Sequence, residues 1–156
     1  MKKILLLTVF FTLCFILSNE SRAQNIGAGL AFGTEVESLG IGVNGQFATA
    51  NRDLIISPSF ILFFPDDPLN FWELNADVNY YFSRSSASVY GILGLNLGHT
   101  GIDGIDDSGN TELGLNLGAG VDLDLGSNIV PFAQAKYAIS DFDQLVIFFG
   151  ARFPIN

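Results

Sequence analysis

Cysteine is all but missing from this chain of 156 residues, which has one, Cys14, inside an apolar N-terminal run. No disulfide framework can therefore hold the fold together. Basic side chains are nearly as scarce. Beyond residue 23 there are four, Arg52, Arg84, Lys136 and Arg152, against 15 acidic residues, a net charge of −11. A phosphate-binding surface needs a basic patch, so nucleic acid is excluded as a partner. Histidine occurs once, as His99, and no nucleophile–base spacing accompanies it. Long apolar runs are also lacking after the N-terminus, which leaves no membrane-spanning helix to expect there.

What the N-terminus does have is Lys2 and Lys3, an apolar run from Ile4 to Leu17, and small residues at Ser21 and Ala23. That order predicts a secretory signal peptide over residues 1–23, cleaved before Gln24. The run of 14 residues is short for a retained anchor, since a spanning helix takes about 20. Leu13 stands before Cys14 where a lipidation signal wants a small residue, so no lipid anchor is expected. The mature part, residues 24–156, has the length of one domain.

That part is built from runs of about ten residues that alternate strictly, separated by turn residues. Leu113, Leu115, Leu117, Ala119, Val121 and Leu123 share one face, and Gly114, Asn116, Gly118, Gly120, Asp122 and Asp124 the other. Trp72, Leu74, Ala76, Val78, Tyr80 and Phe82 likewise stand opposite Glu73, Asn75, Asp77, Asn79 and Tyr81. Strands are predicted at 25–34, 39–48, 54–64, 71–82, 88–98, 112–124, 130–139 and 144–153. Ten residues rising about 3.3 Å each, tilted, cover the apolar band of about 25 Å that a transmembrane barrel presents.

An even strand number puts both chain ends on one side, the periplasmic one for an exported barrel. The turns expected there are short: Thr49–Asp53, Ser83–Ala87 and Leu125–Asn128. The opposite side receives Glu35–Ser38, Pro65–Asn70, His99–Thr111 and Ser140–Asp143, of which the third is longest. Aromatic belts are expected at the two interfaces: Phe32, Phe64, Trp72 and Tyr137 on the outer side, and Phe47, Tyr80, Phe82, Tyr90 and Phe153 on the inner.

A soluble barrel would turn the apolar faces inward. A water-facing exterior is usually about 25–35% charged, whereas this mature chain has 19 charged residues among 133. Its apolar faces also carry more Leu, Ile and Phe than the lumen of eight strands can hold. The inverted arrangement, with Gly and Asn inside and Leu and Phe outside, removes both conflicts. Strand 54–64 is apolar on both faces and contains Pro58, which cannot donate to a ladder; a bulge or local break is expected there.

The luminal charges are then Glu73 toward the outer side, Asp77 and Lys136 near the middle, and Asp122, Asp124 and Arg152 toward the periplasmic end. Ions in so narrow a space must pair or stay wet. They form either a plug of ion pairs and hydrogen bonds or the lining of a gated pore. The sequence Leu-Gly-Leu-Asn-Leu-Gly occurs at 93–98 and again at 113–118. Symmetric pairing of these two arms would set Asn96 against Asn116 in the lumen. The acidic loop carries Asp103, Asp106, Asp107 and Glu112 without EF-hand spacing. It reads as a solvated loop, with calcium binding the alternative.

The eight alternating strands, the export signal and the last strand Gln144–Phe153 together resemble the small outer-membrane β-barrel family that includes the OmpA transmembrane domain and OmpX. The resemblance spans the mature chain. It implies an all-β, eight-stranded, antiparallel up-and-down transmembrane barrel in the cell outer membrane. Leu145, Ile147, Phe149, Ala151 and Phe153 share one face of the last strand, which resembles the C-terminal signal read by the barrel-assembly machinery. The family usually ends on that aromatic; here Pro154, Ile155 and Asn156 follow. The lipid A deacylases of that membrane place His and Ser two residues apart, and residue 101 is glycine. No enzyme activity, cofactor or metal is therefore expected. The expected partners are outer-membrane lipid and lipopolysaccharide, with the assembly machinery during insertion, and a monomer is the expected state. Two roles stay open: a structural or surface-interaction barrel with a plugged lumen, or a narrow porin-like channel for ions or small solutes.

Overall fold

Period-two alternation leaves each strand one face to bury and one to expose, and in the computed structural model eight such strands close on themselves. The structure describes residues 24–107 and 109–155, so the predicted leader lies outside the described residues. The strands are β1 (Gln24–Gly33), β2 (Ser38–Ala48), β3 (Leu54–Phe63), β4 (Leu69–Tyr81), β5 (Ala87–Ile102), β6 (Asn110–Leu123), β7 (Val130–Ile139) and β8 (Gln144–Ile155). Each pairs antiparallel with its neighbour in sequence, and β1 pairs with β8, so no edge strand is left. No described helix is long and apolar enough to cross a membrane, which says nothing of strands.

The exterior is apolar and the interior largely polar. Leu39, Leu93, Leu113 and Leu117 point outward and are each more than half exposed. Asn75, Asn79, Asn116, Lys136 and Arg152 are buried. Both ends of the barrel interior hold buried aromatic side chains. Toward the end away from the chain termini, Ile61, Phe63 and Phe71 face inward, with Phe142 of the β7–β8 connection packed against Phe71 at 5.5 Å between ring centroids. Toward the terminal end, Tyr81 and Tyr90 lie against one another at 4.7 Å.

Several features depart from the sequence expectations. The loop expected over 99–111 shrinks because the β5–β6 ladder continues through His99↔Thr111 and Thr100↔Asn110. Trp72 stacks on the His99 ring at 5.1 Å, and His99 Nδ1 lies 2.7 Å from Thr111 Oγ1, which favours extended chain there. Pairing of β6 with β7 starts only at Leu115↔Ile139, so this hairpin projects beyond the rim.

Asn96 and Asn116 do not face one another: Asn96 stands opposite Gly114 and Asn116 opposite Gly94. The shift of two residues keeps both side chains in the lumen, because the face repeats every second residue. Tyr90 is a further correction. It does not join a lipid-facing belt, since it shares the face of Ile92 and Asn96 and is fully buried in the lumen. Its ring covers Gly120, where a Cβ would come within 2.4 Å of the ring.

Pro58 produces a break without a bulge. On the β4 side the pairs Ser57↔Asp77, Pro58↔Ala76 and Ser59↔Asn75 run unbroken. On the β2 side the ladder stops after Asn44↔Ser59 and resumes at Phe47↔Ile56 in the same register, leaving Gly45 and Gln46 unpaired with β3. The missing proline N–H accounts for the gap, and the unchanged register shows that no residue has been inserted.

Candidate functional site

Alternation and register together place five of the six charged residues expected in the lumen along one column. At the terminal end β8 supplies Arg152, which is ion-paired with Asp122 of β6. Asp122 also accepts a 2.6 Å hydrogen bond from the Tyr81 hydroxyl, which in turn accepts one from Gln46 Nε2 at 2.8 Å. The Arg152 guanidinium lies over the Phe132 ring at 4.0 Å, and Gln134 Nε2 donates to the Tyr90 hydroxyl at 3.0 Å. A delocalised planar cation can meet a carboxylate at its edge and a ring on its face simultaneously, which lysine cannot do.

At mid-height Lys136 of β7 reaches across to Asp77 of β4, with Nζ 2.7 Å from Oδ2. Asn116 Nδ2 donates to Asp77 Oδ1 and to Asn75 Oδ1, both at 2.7 Å, and Asn96 Nδ2 donates to that same Asn75 oxygen at 2.8 Å. The two repeated asparagines are thus joined through a third on β4. Nearer the far end, Glu73 accepts from Gln144 Nε2 at 2.8 Å, and the Val36 backbone N–H donates to Gln144 Oε1 at 3.2 Å. This last bond ties the β1–β2 connection to the lumen.

Asp124 is not part of this column. β6 ends at Leu123, and Asp124 lies exposed in the following turn. Its carboxylate accepts from the Gly126 N–H at 2.9 Å, and its own N–H donates to the Ser86 carbonyl at 2.8 Å. Gly126 has a φ of 70°, which a residue without Cβ adopts freely, and the turn takes the aspartate out of the alternation.

Most of the network's uncharged members were visible only as polar residues on an inward face. Gln46, Gln134 and Gln144 carried no distinguishing spacing, and their bonds to Tyr81, Tyr90 and Glu73 span 35, 44 and 71 residues of sequence.

Asp77 and Asp122 each hold a cation and a neutral donor, and Glu73 holds an amide. His99 sits on the outer part of β5, bonded to Thr111. Among the described residues no three His, Cys, Asp or Glu side chains gather where they could hold a metal ion. Asp103 of the projecting hairpin instead accepts from Asn70 Nδ2 at 2.7 Å, and Glu112 from Asn110 Nδ2 at 2.7 Å. A cavity of about 50 Å³ at the far mouth, bounded by Phe71, Glu73, Glu112 and Phe142, has room for one or two waters.

The residues expected to form the assembly signal, Leu145, Ile147, Phe149 and Phe153, all point outward from β8. The strand continues past Phe153, because Pro154 and Ile155 still pair with Asn25 and Gln24.

No family model matches the chain, and no curated protein matches it. Solved structures do. The N-terminal β-barrel domain of Pseudomonas aeruginosa OprF aligns with a TM-score of 0.71 at 14% identity, covering 85% of this chain and 97% of that one. Ail, the attachment invasion locus protein of Yersinia pestis, aligns with a TM-score of 0.61 at 19% identity over the same shares. Neisserial surface protein A aligns with a TM-score of 0.62 at 18% identity, covering 85% of this chain and 94% of that one. Superposition over 85% of the chain at such low identity is a likeness of fold, and the fold of this chain is that of the small eight-stranded outer-membrane β-barrels.

Proposed function

We propose that the mature chain is an integral outer-membrane protein with a structural or surface-interaction role, exported behind a cleaved leader, with a lumen closed by its own side chains. One observation carries the membrane reading: large apolar residues cover the outside of the wall while Arg152, Lys136 and five asparagines are buried within it. In water that arrangement is inverted, and in hydrocarbon it is the expected one. Placing the chain termini on the periplasmic side sends the β5–β6 hairpin, with Asp103, Asp106 and Asp107, to the cell surface. Lipid and lipopolysaccharide are then its surroundings. Leu145, Ile147, Phe149 and Phe153 are the residues proposed to be read by the barrel-assembly machinery.

The closed lumen is supported by the Asp77–Lys136 and Asp122–Arg152 pairs and by the aromatic packing at both ends. Planar-bilayer recording of the refolded protein tests it against the channel alternative. The expected result is a folded species of heat-modifiable gel mobility that raises no steady current. A reproducible unitary conductance from that same species would favour the narrow channel instead.

A further inference from the structure

Asp77 and Asp122 each face a cation across the lumen, whereas Glu73, 2% exposed, has no ion-pair partner among the described residues. Gln144 gives it one neutral hydrogen bond. The register sets Glu73 opposite Gly98 and Gly98 opposite Glu112, so the three stand in one row across β4, β5 and β6. Two inter-strand steps put the outer pair about 10 Å apart at Cα. Gly98 leaves the middle open: a Cβ there would meet nothing nearer than the Phe71 ring at 3.5 Å, with Asn96 Oδ1 at 3.7 Å. The cavity of about 50 Å³ at the far mouth lies along this row, and Thr100, Asn110 and Ser140 share its wall with the two glutamates. Asn110 donates to Glu112 Oε1, and Glu112 Oε2 has no hydrogen-bond partner. The chain offers no cation to balance the row. Lys136 and Arg152 are committed to Asp77 and Asp122, and Arg52 and Arg84 lie in the turns at the other end of the barrel.

We propose that this row is a binding site for one calcium ion, held between Glu73 and Glu112 over Gly98. A buried carboxylate without a countercharge is costly, and two of them balance one dication. Side chains on the inner face of a closed barrel converge, so two glutamates can meet an ion midway. Calcium takes six to eight oxygens at about 2.3–2.6 Å in flexible geometry. Asn96, Thr100 and Asn110 offer neutral oxygens beside the two carboxylates, and the cavity has room for a water. Magnesium keeps several waters in a strict octahedron, for which this space is small. An organic cation exceeds the volume altogether. With two carboxylates rather than three or four, the site belongs at the weak end of calcium affinities, about 10⁻⁴–10⁻³ M. It is separate from the hairpin tip, where Asp103 is bonded to Asn70. The proposal rests on the register of β4, β5 and β6, whichever solvent surrounds the wall.

Isotope-labelled refolded protein in phosphatidylcholine nanodiscs, stripped of divalent ions and titrated with calcium chloride, tests the site by NMR. Saturable shifts are expected at the Gly98 backbone amide and the Asn96 side-chain amide, half complete at about 10⁻⁴–10⁻³ M. Magnesium chloride should shift the same signals about tenfold less. Glu73→Gln and Glu112→Gln should each weaken the calcium response about tenfold or more. Glu112→Gln lies at the mouth and decides the matter alone if Glu73→Gln does not fold. Joint replacement of the exposed Asp106 and Asp107 by asparagine should leave the response unchanged. No saturable shift up to about 10 mM calcium would overturn the site. So would an equal response to magnesium, or a response lost with Asp106 and Asp107 but kept in Glu112→Gln. Shifts at Gly98 that follow pH and ignore calcium would mean that the two glutamates share a proton instead, which also overturns it.

Discussion

Asp77→Ala is expected to lower the unfolding free energy of the refolded barrel by about 3–5 kcal/mol. Lys136 is 2% exposed, and its ammonium is held by Asp77 Oδ2 at 2.7 Å. Without that carboxylate the buried ammonium loses its ion-pair partner. Asn116 loses one of its two acceptors by the same change. The loss arises chiefly from the stranded charge, not from a large intrinsic worth of the pair. Adding Lys136→Met to Asp77→Ala should therefore recover at least half of it. Denaturant titration of the three proteins in the same lipid checks this. A double variant no more stable than Asp77→Ala would show that the pair itself, rather than its imbalance, governs stability. Added salt should change little, because a buried pair is poorly screened.

Gly150→Val is expected to prevent closure of the barrel altogether. Gly150 of β8 stands opposite Gly29 of β1 in the seam where the first and last strands meet. A Cβ at Gly150 would lie 2.1 Å from the Ala28 carbonyl oxygen and 2.6 Å from the Gly29 Cα. A Cβ at Gly29 would meet the Phe149 carbonyl oxygen at 2.1 Å. These are backbone atoms, which cannot rotate aside as a side chain does. Relief requires the two strands to separate, and each backbone group left unpaired in lipid costs several kcal/mol. The variant should run only at the unfolded position on a gel of unheated protein. Ala28→Val is the control, since Ala28 lies in the same seam but faces outward, and it should fold. A normally folded Gly150→Val barrel would mean that the seam has slack the geometry does not reveal.

Much of the wall was legible because period two fixes strand and face together. The eight strands fall within a few residues of their expected bounds for that reason, and so does the assignment of Glu73, Asp77, Asp122, Lys136 and Arg152 to the lumen. Tyr90 was legible too: counting by twos from Asn96 puts it inside, and the general preference of aromatics for interfaces pointed the wrong way. Asp124 also continued the alternation, but Gly126 and an aspartate-capped turn ended the strand first. The Asn96–Asn116 offset was beyond reach, because slipping a hairpin by two residues leaves every face unchanged. Cross-lumen partners such as Gln144 and Glu73 depend on the stagger accumulated around the whole barrel, which no local pattern encodes.

The inside-out wall is tested most directly by placing spin labels one at a time along β6, at the outward Leu115, Leu117, Ala119 and Val121 and at the inward Asn116, in protein reconstituted into bilayers. Collisions with oxygen and with a water-soluble nickel chelate are then compared at each position. The four outward positions should favour oxygen, most strongly near the middle of the strand, and Asn116 should be shielded from both. Outward positions that collide freely with the chelate along the whole strand would place that face in water and contradict the membrane barrel.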